Sequence, residues 1–71
     1  MDHEDSLKLT DHETQVLRLV SQGLTNKQIA LSLSIKERTV EYHMGEIFQR
    51  LDVTSRTAAV ITAKNMGLLD I

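Results

Sequence analysis

Arg38, Thr39, Glu41 and Tyr42 fall within five consecutive positions that also hold Val40. A guanidinium donates in a rigid fork, a hydroxyl or phenol both donates and accepts, and a carboxylate only accepts. Such a set suits recognition of a patterned hydrogen-bonding surface better than bond making. Asn26 and Lys27 precede it, Lys36, His43 and Gly45 flank it, and Arg56 follows. Catalysis finds no constellation. Cysteine is absent, and no serine stands in a strand-to-helix elbow. Asp11-His12-Glu13, taken with His3 and His43, fits no zinc spacing and reads as one capped helical turn. The expectation is a non-enzyme without metal or cofactor.

The elements that must hold these residues can be read in order. Thr10 and Glu13 form a capping box that opens a first helix, with Val16, Leu17, Val20 and Leu24 at helical spacing and Gly23 as its left-handed end. Thr25 and Gln28 repeat the box and open a second helix, whose Ile29, Ala30 and Leu33 face inward. Ser34-Ile35-Lys36 is the turn, with Ile35 as its plug and Lys36 as a poor cap for a third helix from about Glu37 to Leu51. On a 100° wheel Val40, Met44, Ile47 and Leu51 make the inner stripe, and Arg38, Tyr42, Gly45 and Gln49 lie opposite. Ser55 caps a fourth helix that ends at Gly67, with the Arg56 stem, Ala59, Val60, Ala63 and Gly67 inward and Ala58, Ile61 and Asn65 outward; Leu68 and Leu69 fold back to seal the bundle. The fold expected is all-α, a compact four-helix bundle containing a helix-turn-helix over residues 7–71, after a disordered tail or linker end at residues 1–6. In a helix-turn-helix the first turns of the second helix enter a DNA groove.

Composition narrows the alternatives. Seventy-one residues make one domain with a modest core, and without cysteine its stability must come from helix packing. No apolar run has membrane length, and the acidic start (Asp2, Glu4, Asp5) is no secretory signal, so a cytoplasmic protein is expected. The net charge is −2, but unevenly spread. Residues 1–13 hold five acids against Lys8, and residues 14–71 hold seven bases against five acids. The basic excess over the second part is thin for a binder of polyanions.

The string Leu9-Thr10, Glu13, Val16-Leu17, Gly23, Thr25-Asn26-Lys27, Ile29-Ala30, Thr39-Val40, His43, Ser55-Arg56, Ala59-Val60 and Gly67-Leu68-Leu69 resembles the LuxR-type helix-turn-helix domain. That domain is the output module of NarL/FixJ-type response regulators and of quorum-sensing regulators. The resemblance spans Leu7 to Leu69. It implies sequence-specific binding of double-stranded DNA in bacterial transcription regulation, with the third helix in the major groove and the fourth pairing two subunits. The DNA-facing residues it implies are Asn26, Lys27, Lys36, Arg38, Thr39, Val40, Glu41, Tyr42, His43, Gly45 and Arg56. Ala58, Ile61 and Asn65 are the implied dimer surface, with pairing weak in the isolated domain. Glu41 stands where the family commonly has lysine or arginine, and Glu46 where asparagine is frequent.

Each assignment has a plainer counterpart. Lys27, Arg38, Glu41 and Tyr42 also fit a solvated helix face, His43 a half-buried ring, and Arg56 a packed stem with its guanidinium in water. Gly45 costs helix propensity, which an approaching DNA or protein backbone would explain. The acids on the third helix also suit a helical protein-interaction module that has lost DNA binding. The start of the chain reads as a linker end, so an excised carboxyl-terminal domain behind a receiver or ligand-binding domain is expected.

Overall fold

Helix ends decide this architecture, because each leaves backbone groups that the helix itself cannot bond. The computed structural model describes residues 8–70; the tail expected at residues 1–6 lies outside the described residues. Four helices follow in order: α1 Asp11–Ser21, α2 Asn26–Leu33, α3 Glu37–Leu51 and α4 Arg56–Asn65. No strand occurs among the described residues. Both capping boxes form. Thr10 Oγ1 accepts from Glu13 N at 3.1 Å and Glu13 Oε1 accepts from Thr10 N at 3.0 Å. At α2, Thr25 Oγ1 accepts from Gln28 N at 3.2 Å and Gln28 Oε1 accepts from Thr25 N at 2.8 Å. Ser55 Oγ accepts from Ala58 N at the head of α4, whereas Lys36 gives α3 no side-chain cap, as its chemistry predicts.

All four helices end in the same way. In α1, Leu24 N–H donates to Leu19 O and Gly23 N–H to Val20 O, the paired bonds of a Schellman motif. Equivalent pairs close α2 through Ile35 and Ser34, α3 through Val53 and Asp52, and α4 through Leu68 and Gly67. The left-handed position is held by Gly23, Ser34, Asp52 and Gly67, with φ of 90°, 58°, 57° and 74°. The residue after it is apolar each time: Leu24, Ile35, Val53 and Leu68 pack against the core. Gly67 therefore terminates α4 from an exposed position and is not part of its inward face.

The core collects Val16, Leu17 and Val20 from α1, Ile29 and Ala30 from α2, the Val40, Met44, Ile47 and Leu51 stripe of α3, Ala59 and Ala63 from α4, and Leu69. α3 lies against all three other helices, while α2 and α4 pack least with one another. Ala30 and Ala59 are small where helices meet, which lets the backbones approach. Truncating a fully buried side chain such as Leu17 would cost about 2–5 kcal/mol, a large part of the stability of so small a domain.

Among the described residues, one buried polar residue sits in this apolar frame. Glu13 is 3% exposed, and its carboxylate meets the Arg50 guanidinium from the last turn of α3. Arg50 Nε lies 3.1 Å from Glu13 Oε1 with its N–H off the line of contact, and Arg50 Nη2 donates to Oε2 at 3.4 Å. The same Oε1 also caps α1. Removing this carboxylate strips a cap and leaves a partly buried guanidinium unpaired.

Two outcomes follow for stability. Glu13→Ala lowers unfolding free energy by about 3 kcal/mol in a urea titration, and a loss below about 1 kcal/mol would show that the pair is not structural. Ser34→Gly raises it by about 0.5–1 kcal/mol, since the left-handed strain of a serine exceeds the extra chain entropy of glycine; a lower thermal midpoint would contradict this.

Candidate nucleic-acid interface

With the apolar stripe of α3 turned inward, the opposite line is forced outward. Arg38, Tyr42, Gly45 and Gln49 are all exposed, Tyr42 at 63%. Glu41 is exposed beside them, and Glu46 is half-buried. Lys36, at the entry to α3, and Lys27, in the first turn of α2, are also exposed. The α2 amino end presents the N–H groups of Asn26 and Lys27, which a helix cannot satisfy internally and whose dipole favours an anion. A shallow groove of about 330 Å³ joins these parts, lined by Asn26, Glu41, Met44, Gly45, Phe48 and Arg56.

Two residues on the expected list sit differently. Val40 is fully buried, because its place on the 3.6-residue repeat puts it in the core stripe; its side chain can only pack. Thr39 is half-buried and turns toward α1, where it lines a cleft of about 320 Å³ with His12, Gln15, Val16, Leu33, Ile35 and His43.

His43 is half-buried, and the reason lies in a contact no sequence periodicity announces. Its ring stacks on His12 of α1, with centroids 5.6 Å apart and planes inclined by 19°. The Tyr42 ring also meets it edge-on, with centroids 5.7 Å apart. A row of three rings thus runs from α1 across to the outward line of α3, bracing Tyr42 near the start of the helix.

Arg56 is held by contacts that neither sequence reading named. Its guanidinium neither hangs in water nor reaches away from the bundle. Nη1 donates to Asn26 Oδ1 at 2.6 Å and Nη2 to the Leu24 carbonyl at 2.8 Å. The first residue of α4 thereby holds the amino end of α2. These partners lie 30 and 32 positions away, beyond the reach of any local pattern.

Gly45 needs no space inside the molecule. A β-carbon there would meet no atom within 4 Å. No neighbour among the described residues requires a glycine here.

On α4, Ile61 is 52% exposed and Asn65 exposed, while Ala58 is half-buried. Met66, just past the helix, adds a second exposed apolar side chain.

Residues 7–63 match the model of the luxR family of bacterial regulatory proteins. The chain belongs to that family. It is 44% identical over 61 residues to the transcriptional regulatory protein ComA of Bacillus subtilis, covering 86% of this chain and 28% of that protein. It is 49% identical over 53 residues to the nitrate/nitrite response regulator protein NarP of Escherichia coli, covering 75% of this chain and 25% of NarP. The solved structure of the transcription factor GerE superposes with a TM-score of 0.83 at 31% identity, over 87% of this chain and 92% of that one. The chain is thus a luxR-family helix-turn-helix DNA-binding domain, and it spans about a quarter of the length of ComA and NarP. No helix among the described residues is long and apolar enough to cross a membrane.

The open surroundings of Gly45 set a direct expectation. Gly45→Ala stabilises the free domain by about 1 kcal/mol, read as a rise of about 4–8 °C in thermal midpoint by circular dichroism. A fall in midpoint would mean that the position is sterically closed.

Proposed function

We propose that this domain reads double-stranded DNA by laying the first turns of α3 in the major groove, with the amino end of α2 on the phosphate backbone. The observation that carries this reading is the exposed line through Arg38, Tyr42 and Gly45, set back to back with the fully packed stripe of the same helix. Arg38 can donate to guanine, Glu41 can accept from a cytosine amino group, and Tyr42 can donate or lay its ring against a thymine methyl. Lys27, Lys36 and the α2 amino end set position on the backbone, and His43 offers a ring nitrogen from its half-buried seat. Gly45 leaves room for a phosphodiester chain to pass close to α3.

Two copies would pair through α4, with Ile61 and Asn65 central and Ala58 at the edge, and bind half-sites about one helical turn apart. One short helix gives a small interface, so pairing in the isolated domain is weak and reversible. In the whole protein, a further receiver or ligand-binding domain would control pairing. The likeness to ComA and NarP, each about four times longer than the matched segment, supports this arrangement. The reading also places the protein in the cytoplasm, with bacterial DNA.

Charge sets the strength of binding. Of the seven bases in residues 14–71, Arg50 is neutralised by Glu13 and Arg56 is engaged inside the molecule. Lys27, Lys36 and Arg38 remain on the proposed face. Three neutralised phosphates correspond to a slope near −3 in log K against log salt for each bound domain.

The test selects bound sequences from a random duplex pool and then measures affinity for the selected duplex by fluorescence anisotropy across salt concentrations. The expected slope is about −3 per domain, steepened by about one in Glu41→Lys. Binding by Glu41→Lys but never by the wild-type domain would instead favour an interaction module that has lost its DNA surface.

A further inference from the structure

Arg56 is placed where its charge does not help the fold. It is the first residue of α4, at the positive end of that helix, and its guanidinium lies over the equally positive start of α2. No carboxylate offsets it: Glu13 with Arg50 is the one ion pair among the described residues, and Glu41, in the same groove, makes none with Arg56. A neutral side chain would suit a purely structural role better.

The bond to Asn26 shows what the guanidinium accomplishes. Guanidinium groups have donors and no acceptor, so the Asn26 amide can face Arg56 only with its oxygen. A flipped amide would set donor against donor. With Oδ1 taken at 2.6 Å, the amide nitrogen is turned away from Arg56, and Asn26 itself lines the groove that runs past Gly45. The second arm of the fork, on the Leu24 carbonyl, ties the same guanidinium to the backbone entering α2. Orientation of one amide and placement of one helix start are thus set together.

We infer that Arg56 is a positioning residue: it does not touch DNA but holds Asn26 so that its Nδ2 donates to a backbone phosphate beside the α2 amino end. This rests on the DNA-reading function proposed above. A planar fork is required, because lysine carries the same charge but cannot engage the amide oxygen and the carbonyl in one fixed plane.

The test is a double-mutant cycle on affinity for a duplex selected by the wild-type domain, using the full 71-residue chain. Thermal unfolding establishes that each variant is folded. Arg56→Lys and Asn26→Ala are each expected to weaken binding about fivefold, the worth of one oriented hydrogen bond. Combined, they should weaken it no more than either alone, because both remove the same contact. In the free protein, Arg56→Lys should move the Asn26 side-chain amide signals in a ¹⁵N–¹H spectrum. Asn26→Asp keeps an acceptor for Arg56 and so keeps the fold, but loses the donor, and it should bind more weakly than Asn26→Ala. Full affinity in Arg56→Lys, multiplicative losses in the double variant, or an unmoved Asn26 signal would overturn the positioning role while leaving DNA reading intact. Absence of duplex binding by the wild-type domain would overturn both, and is distinguished by needing no variant.

Discussion

The Glu13 carboxylate is the point on which the geometry of α3 depends. It is almost completely buried, and two groups donate to it, the Thr10 N–H and Arg50 Nη2, while Arg50 Nε stands at ion-pair distance. A buried carboxylate without such partners would carry a desolvation penalty of several kcal/mol, so alternative packings that separate α1 from the end of α3 are disfavoured by that amount. Apolar contacts alone tolerate sliding and small rotations of one helix on another. A charge pair does not. Because Arg50 sits in the last turn of α3 and Glu13 in the first turn of α1, the pair fixes which end of one helix meets which end of the other. The direction of α3, and with it the presentation of Arg38 and Tyr42 at its opposite end, follows from this.

A chain of this size has little apolar surface to spend on holding its connections, so it saves entropy there instead. The three links between helices hold four, three and four residues, and each contains, at its first or second position, a left-handed terminator followed by an apolar residue on the core. The terminator satisfies carbonyls that would otherwise need solvent, and the apolar residue after it adds burial at no extra length. Short links also leave few ways to misarrange the helices. What such links do not supply is rigidity between α2 and α4, the pair that packs least, and there the Arg56 fork takes over.

Much of this was readable from residue types, and the reasons differ from element to element. Capping boxes at Thr10 and Thr25 are local, three positions wide, and so fully visible in sequence. The Val40 to Leu51 stripe follows from the helical repeat, and so does the exposed line opposite it. Burial of Val40 itself follows from that repeat, which overrides its membership of a run of positions that the resemblance implied to face DNA: the residue stands between half-buried Thr39 and exposed Glu41 and still faces the core. The left-handed positions were legible at Gly23 and Gly67 but not at Ser34 and Asp52, where a residue of modest propensity is held by the two bonds of the motif. Glu13 was recognised as a cap, yet its pairing with Arg50 across 37 positions was not. The His12 stack and the Arg56 fork were equally hidden, since contacts between helices depend on crossing geometry, which no spacing rule encodes.

Those hidden contacts change how the charge of the domain must be understood. A count along the chain credits residues 14–71 with seven bases, but Arg50 is paired with Glu13 and the Arg56 guanidinium is tied to Asn26 and the Leu24 carbonyl, which leaves Lys27, Lys36 and Arg38 as the exposed cations of the face that would meet a duplex. Glu41, on the same face, subtracts from even that. An interface so lightly charged gains little from counterion release, so non-specific attraction is weak and most discrimination must arise from oriented donors and acceptors. Orientation is what the buried and half-buried polar contacts provide: Asn26 turned by Arg56, Tyr42 braced through His43 and His12, and α3 aligned by Glu13. The weak pairing proposed for two such domains would then have a regulatory consequence. When a single domain binds feebly, joining two on adjacent half-sites multiplies affinity through effective concentration. A control domain of the kind proposed above, merely by bringing two copies together, would therefore switch occupancy of a site without altering any contact to the DNA.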